Sequence, residues 1–463
     1  MACRVLGESR PQRRIFLWAQ NGRVSGSVEI ATFVIALLLA VASVQAAAPA
    51  ADTFSTEFTV AAAGEAIATV RAGCARCDWG EAGREAAAVR VSLDGRYSQH
   101  LLLARGEAAA DYRIALGPVA AGRHRLTIDR DPALSAHDAG PATIDVPDVS
   151  IRVRSDSDFI ALSMAPILHA RPNTVGKFTD LPLLMWYEVV PTPRGRQYRY
   201  SVIFSNEDGG TETDRLMATW GRTTDIEFVY GVEVGEGGQI LAEEFQGPGH
   251  EVPAFKGQHE ARHPLLWVST DNNMVSETGP TRIRYAPAAV KFDLTDVSRE
   301  AVMDANPWIY AIASVEMRRE GKIVDNAPPG RNAIQDPRRF VYIEACGVVG
   351  NAALGFALGL RDQWVPSDRG IPKYRIVRDG CFRGAIPLPA GAVAHDIRAL
   401  RVMAYERPPV DGQRATAANP IKLTRINKVF TLDDQFAPGP TLVRWTGAAT
   451  IDAGGAPFEI PIP

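Results

Sequence analysis

From about residue 55 onward, hydrophobic and polar residues alternate in short runs with a period of two. This is the spacing of strands that bury one face. Val89-Arg-Val-Ser-Leu93 alternates, Asp94-Gly95 interrupts, and Arg96-Tyr-Ser-Gln-His-Leu-Leu-Leu103 returns. An Asp-Gly pair between alternating runs predicts a hairpin, because both residues accept the positive φ of a tight turn. Tyr112–Leu116, His124–Ile128, Ala142–Val146 and Ser150–Arg154 continue the pattern, with Gly117-Pro118 and Gly122 as breaks. Some seven strands in roughly 100 residues predict a β-sandwich over residues 54–155.

A second region, 156–297, carries strand patterns at Leu183–Val190, Gln197–Phe204, Asp225–Val234 and Leu265–Ser269. In the third of these, Asp225, Glu227 and Glu233 are offset toward one face by the two-residue period. A third region, 298–463, opens with a short helix predicted at Ser298–Ala305, with Ser298 as cap and Glu300 in the first turn. Strands are predicted at Trp308–Glu316, Arg339–Ala345, Tyr374–Val377, Arg398–Tyr405 and Ile421–Phe430. No fixed-period repeat is present, which argues against a propeller or solenoid. The expected fold is mainly β: an N-terminal β-sandwich followed by a larger β-rich domain or pair of domains.

Composition narrows the class. The chain has 463 residues, 46% hydrophobic and 22% charged, with a net charge of −3. That is globular, long enough for two or three domains, and without the basic excess of a nucleic-acid-binding protein. The first segment changes the picture further. Residues 1–29 carry Arg4, Arg10, Arg13, Arg14 and Arg23; Ile30–Val44 is uncharged and apolar; Val44-Gln45-Ala46 ends in a small residue. Basic start, apolar run and small-x-Ala exit predict a secretory signal peptide over 1–46, and so a secreted or periplasmic protein. The fifteen-residue apolar run is short of the ~20 a membrane helix needs, and no later stretch is apolar enough to span a bilayer. Cleavage takes five basic and two acidic residues from 50 and 53, leaving 45 and 51, a net −6.

Export makes the cysteines candidates for disulfides. Cys3 leaves with the signal, and Cys74, Cys77, Cys346 and Cys381 remain, with three possible connectivities. Pairing Cys74 with Cys77 and Cys346 with Cys381 keeps each bond within one region. Cys74-Ala-Arg-Cys77 also has the spacing of half a zinc site or a redox motif, but no second close pair and no βαβ setting accompany it.

Three histidines, His250, His259 and His263, fall within fourteen residues, and His259-Glu260-Ala-Arg-His263 spells H-E-x-x-H. That motif holds zinc when a helix puts both imidazoles on one face. Gly257 and Pro264 flank it here and oppose a helix. A divalent metal, zinc among them, is therefore weighed in another geometry, with His250, His259, His263 and Asp225 as ligands and Glu227 or Glu260 as base. Asp225 and Glu227 lie ~7 Å apart along a strand, a separation open to acid/base work. Asn206-Glu207-Asp208-Gly-Gly concentrates oxygen atoms, so Glu207 and Asp208 are candidate calcium ligands, although the spacing is not that of an EF-hand. Against each stands the plain alternative of solvated polar loops. Neither a Gly-x-Ser-x-Gly elbow nor a glycine-rich phosphate loop is found.

Two resemblances add to this. Leu116-Gly-Pro-Val-Ala-Ala-Gly-Arg-His-Arg-Leu-Thr-Ile128 is similar to the segment of jelly-roll carbohydrate-binding modules in which a glycine and histidine precede an alternating strand. Such modules imply aromatic platforms for sugar rings, for which Trp79, Tyr97 and Tyr112 are the candidates. Residues 220–279 resemble the Vps62-related family, with its Asp-Trp-Glu strand, Gln-His segment and Pro-Val strand ending near Gly-Ser-His. Asp225-Ile226-Glu227, Phe245-Gln246…His250 and His263-Pro264…Ser269 take those places. Ile226 replaces the tryptophan and Asn272-Asn273 stands where the last histidine would be. This resemblance implies an architecture rather than a reaction. The expectation that follows is an exported β-rich protein whose partner is a polysaccharide or other glycan. The alternatives are a metal-dependent hydrolase and a structural envelope protein without a small ligand.

Overall fold

Six sheets occur in sequence order as three pairs, and each pair closes over its own apolar core. The computed structural model describes residues 53–172, 174, 176–207, 209–361, 363–407 and 418–463. The expected signal segment, Cys3 and Asp208 lie outside the described residues.

The first pair comes from β1 (Thr53–Val60), β2 (Gly64–Cys74), β3 (Ala88–Leu93), β4 (Arg96–Leu102), β5 (Ala110–Val119), β6 (Gly122–Asp131) and β7 (Ala142–Arg152). Sheet β1-β6-β3-β4 faces sheet β5-β2-β7 across Ala68, Val70, Val89, Val91, Leu126 and Ile128. The predicted hairpin is β3–β4, with Asp94 and Gly95 both at positive φ. The two strand patterns at 142–146 and 150–154 form one strand, β7.

A helical turn, α1 (Phe159–Ser163), leads to β8 (Ile167–His169), β9 (Pro182–Thr192), β10 (Gly195–Phe204), α2 (Thr213–Trp220), β11 (Asp225–Gly235) and β12 (Ile240–Phe245). Then follow β13 (His259–Glu260), β14 (His263–Val268), β15 (Val275–Ser276), β16 (Arg284–Tyr285) and β17 (Val290–Lys291). Sheet β12-β11-β10-β9-β17 packs on the smaller β13-β14-β8-β16 sheet through Tyr200, Val202, Val229, Val232 and Leu266. Between β10 and β11, Tyr200 pairs with Tyr230 and Ser201 with Phe228, leaving Val229 as an extra residue. Such a bulge reverses the facing of everything beyond it. Glu233 therefore stands opposite Asp225 and Glu227, not beside them as plain alternation predicts.

The last part holds α3 (Ala301–Asp304), α4 (Trp308–Arg319), β18 (Phe340–Val348), β19 (Ala352–Leu360), β20 (Gln363–Pro366), β21 (Gly380–Pro387), β22 (Ile397–Glu406), β23 (Ile421–Phe430), β24 (Val443–Ile451) and β25 (Phe458–Pro461). Sheets β21-β18-β23-β24 and β20-β19-β22-β25 enclose Ile343, Phe356, Leu358, Phe382 and Leu400. The segment predicted as a strand at Trp308–Glu316 is helix α4. Its buried Ile309, Ile312, Ala313, Glu316 and Met317 recur at three and four residues, and Arg318 and Arg319 suit its C-terminal turn. Ser298 does not cap the predicted helix; its hydroxyl donates to Glu344 at 2.8 Å. Residues 374–377 also differ from expectation: Tyr374 ends a 3-10 turn.

A fourth cluster joins the second and third pairs. Trp186, Ile203 and Ile226 meet Ile309, Tyr310, Tyr342 and Phe430 there. Helix α4 also reaches the first pair, where Ile312 enters its core. The described residues accordingly form one compact unit, mainly β as expected. Both expected disulfides are present, Cys346–Cys381 directly across β18 and β21. Among the described residues no helix is long and apolar enough to cross a membrane.

Candidate functional site

Alternation along β5 turns Tyr112 and Ile114 inward. Above them the chain folds so that β9, residues 285–292 and α4 meet the first sheet pair. These elements line an open-mouthed cavity of about 430 Å³. Backbone bonds fix one wall: Ala115 N donates to Ala286 O at 2.9 Å and Ala288 N to Arg113 O at 3.0 Å. Gln99 adds a side-chain bridge, donating to Ala115 O at 2.6 Å and accepting from Ala286 N at 2.9 Å. Most of the lining is apolar, including Leu101, Leu102, Ile114, Leu183, Met185 and Ile312, with Tyr285, Phe292 and Trp308 adding aromatic surface.

Polar groups are few and distinct. The Tyr112 hydroxyl accepts from Arg105 N at 3.0 Å, and its own proton has no acceptor among the described residues. Burial pushes this phenol up to about 12, so it stays protonated. Arg105 lies over Trp308 at 4.7 Å and donates to Asp111 O at 3.2 Å. Arg113 and Lys291 complete the basic side of the lining, and Asp111 is its single carboxylate. A concave, mostly apolar cleft with a few convergent polar groups is the usual form of a small-molecule site, and the volume falls in the lower part of the usual 300–1,000 Å³ range.

Of the three candidate sugar platforms, Tyr112 alone lines this cavity. Trp79 is only 2% exposed; its indole N–H donates to Glu316 at 2.8 Å, and it serves the core. Tyr97 is half-buried, its hydroxyl 2.7 Å from His100 Nδ1, with the guanidinium groups of Arg90 and Arg284 at 5.2 and 5.5 Å from its ring centre. The three do not form one binding face. Arg113, Lys291, Tyr285 and Trp308 were not singled out from sequence. They come from separate elements, and no local pattern marks their convergence.

The acidic candidates gather elsewhere. Asp225 and Glu227 open β11, and Glu207 follows the end of β10. All three are buried. Asn273, in the turn after β14, donates to Asp225 at 3.1 Å and to Asp180 at 3.2 Å; Gln246 donates to Glu227. Burial, reinforced by the neighbouring Glu227 charge, pushes Asp225 up to about 7 against the opposing pull of Arg222. Burial and the Asp225 charge push Glu207 up to about 7, and burial also raises Glu227. This is a proton-holding centre inside the fold. Its carboxyls are met by protein side chains, with Asp225 only 2% exposed.

The histidines do not join it. H-E-x-x-H forms the β13–β14 hairpin, with Glu260 paired to His263 and Ala261 at positive φ. His263 is buried with both nitrogens engaged, Nδ1 2.8 Å from Ala165 O and Nε2 3.2 Å from Glu65. Both contacts point the ring into the protein and away from the other two histidines' partners. His259 Nε2 lies 2.7 Å from Glu243, and His250 is exposed in a separate turn. Glu260, the second candidate base, is held by Arg284 at 2.5 Å. Among the described residues no group of three or more His, Cys, Asp and Glu is arranged to hold a metal ion. Beyond the Glu207 loop, Glu212 pairs with Lys373 at 2.5 Å, and Asp214 accepts from Gly330 N and the Tyr374 hydroxyl, both at 2.7 Å. These carboxylates fasten separate parts of the fold.

No protein-family model and no curated protein matches the chain. Among solved structures, one described as "NLPPya in complex with mannosamine" is similar over 30% of this chain and 75% of that one, at 11% identity and a TM-score of 0.23.

Proposed function

We propose that this is an exported binding protein that holds a small ligand in the cavity between β4, β5, β9 and α4. One observation carries the reading: an open-mouthed cavity of about 430 Å³ at the meeting of several elements, walled mainly by apolar and aromatic side chains. A cavity of this composition favours burial of an apolar ligand body by roughly 25 cal/mol per Å² removed from water. A free sugar fits such walls poorly, since each hydroxyl that loses water needs a hydrogen-bonding partner. The two disulfides support a secreted or periplasmic location, where such bonds persist.

The reading is tested with a neutral fluorescent apolar probe, N-phenyl-1-naphthylamine. Saturable binding is expected, weakened at least tenfold by Leu102→Trp, which fills the cavity from a half-buried wall position. The variant's melting midpoint is measured alongside to show that it folds. Absence of saturable binding to the unaltered protein overturns the reading.

A glycan is the second reading. A wide polar groove beside the cavity is lined by Arg196, Asp156 and the pair Arg152–Asp158, 3.1 Å apart, a polar surface that offers donors and acceptors to a hydroxyl-rich ligand. Retention on an insoluble polysaccharide, lost in Arg196→Ala, would support a glycan partner there; elution in the void volume from a panel of polysaccharides would exclude it.

A further inference from the structure

We propose that the cavity's ligand is an anionic amphiphile, with its apolar body inside and its single carboxylate or phosphate head held by Arg113 and Lys291. This rests on the cavity being a ligand site and adds the ligand's charge and orientation.

The lining is unbalanced in charge. Asp111 is its single carboxylate, set against Arg105, Arg113 and Lys291. His100 does not alter the balance: burial lowers its pKa, and its nitrogens face Tyr97 at 2.7 Å and Asp131 at 3.1 Å. Arg105 is committed to the Trp308 face and the Asp111 carbonyl. Asp111 itself leans on Arg71, 3.9 Å away. Neither Arg113 nor Lys291 forms an ion pair among the described residues, and both are exposed.

Position matters as much as charge. Arg113, Val290 and Lys291 line the apolar cavity and also the polar groove beside it, so they mark the sill between the two. Their backbones are fixed there. Arg113 O accepts from Ala288 N at 3.0 Å, and Lys291 pairs in register with Tyr187 across β17 and β9. Two exposed cations that form no ion pair, at the line where an apolar cavity gives way to a polar surface, match an amphiphile's own division; Asp293, whose carboxyl pKa is lowered by hydrogen bonds from Thr295 and then by the Lys291 charge, lies outside the cavity lining. The protonated Tyr112 hydroxyl adds a donor within the same lining.

The test compares decanoate, decyl phosphate and decan-1-ol, each below its aggregation limit at pH 8 and low salt, by displacement of N-phenyl-1-naphthylamine. At least one anion is expected to bind ten times more tightly than the alcohol, and the tighter of the two names the head group. In Arg113→Gln/Lys291→Gln the anion-to-alcohol ratio is expected to fall toward one. Loss of folding would not give that result, because it lowers all three affinities together. Equal affinities in the unaltered protein, or a ratio unchanged in the variant, overturn this inference and leave the cavity reading standing. If the neutral probe itself does not bind, the cavity reading fails and this inference fails with it.

Discussion

Arg383 is fully buried, with Asp304 at 2.6 Å, Glu344 at 2.5 Å and the Tyr310 hydroxyl at 2.8 Å. It passes so close to α2 that a Cβ on Gly221 would stand 2.7 Å from Arg383 Cγ, and Gly221 also caps α2 at φ +61. Removing one partner of a buried ionic network leaves the others desolvated and uncompensated. Arg383→Met is therefore expected to destabilise the protein by about 3–5 kcal/mol in a denaturant titration. Glu260→Gln, which removes the partly exposed partner of Arg284, is expected to cost only about 0.2–1 kcal/mol. Comparable losses for the two would show that the Arg383 network does not hold α3 to its sheet. The same contrast explains what was legible in single residues. Tyr112, Asp225 and Glu227 are identifiable from their strands, because alternation says which side chains share a face. Their surroundings, Trp308 and Lys291 in the same cavity lining as Tyr112 and Asn273 bonded to Asp225, are set by tertiary packing that no short segment encodes.

At the scale of elements, sequence reading succeeded where polar residues punctuate a strand, whether they alternate toward solvent, as in β23, or end up buried, as in β11. β10, β11 and β23 are close to their expected spans because polar residues punctuate them. It failed where both faces are apolar. β19, Ala-Ala-Leu-Gly-Phe-Ala-Leu-Gly-Leu, is buried at every position and shows no alternation to read. Helix α4 was misread for a related reason: its β-branched and aromatic residues favour a strand locally, and the period of its buried face decides otherwise. The disulfides were legible because spacing and region limited the pairings. Their worth differs with the loop each closes. Cys346–Cys381 spans 35 residues and Cys74–Cys77 spans 3. Loop-closure entropy gives about 4 kcal/mol for the first and about 2 kcal/mol for the second. Cys346→Ala/Cys381→Ala is accordingly expected to lower the urea midpoint about twice as far as Cys74→Ala/Cys77→Ala. The reverse order would mean that the unfolded chain is not the main place where these bonds act.

Across the whole molecule, buried carboxyls fall into two groups with opposite pH consequences. Asp225, Glu207 and Glu316 are pushed up to about 7, mainly by burial, and Glu227 is raised by burial as well. Each binds its proton more tightly in the folded chain than in the unfolded one, where carboxyls titrate near 4. Folding therefore takes up protons between about pH 4 and 7, and stability falls as pH rises through that window, by up to about 1.4 kcal/mol per unit for each group. Glu300 and Asp304 behave oppositely. Burial works against their charge, but Arg222, Arg383 and Arg378 outweigh it for Glu300, as Arg383 and Lys428 do for Asp304, and both are lowered. Their stabilisation is present above the unfolded carboxyl range and is lost as pH falls through their folded values beneath it. The two groups together place the stability maximum on the acid side of neutrality. The melting midpoint is expected to be higher at pH 5.5 than at pH 8 and to drop again below pH 4. Asp225→Asn keeps an acceptor for Asn273 and removes the titrating group, so it is expected to raise the midpoint at pH 8 and reduce the difference between pH 5.5 and pH 8. A midpoint that climbs from pH 5.5 to pH 8 would show that these carboxyls are ionised and solvated in the folded protein. A variant that shifts both pH values equally would show that Asp225 acts through packing, not through its proton.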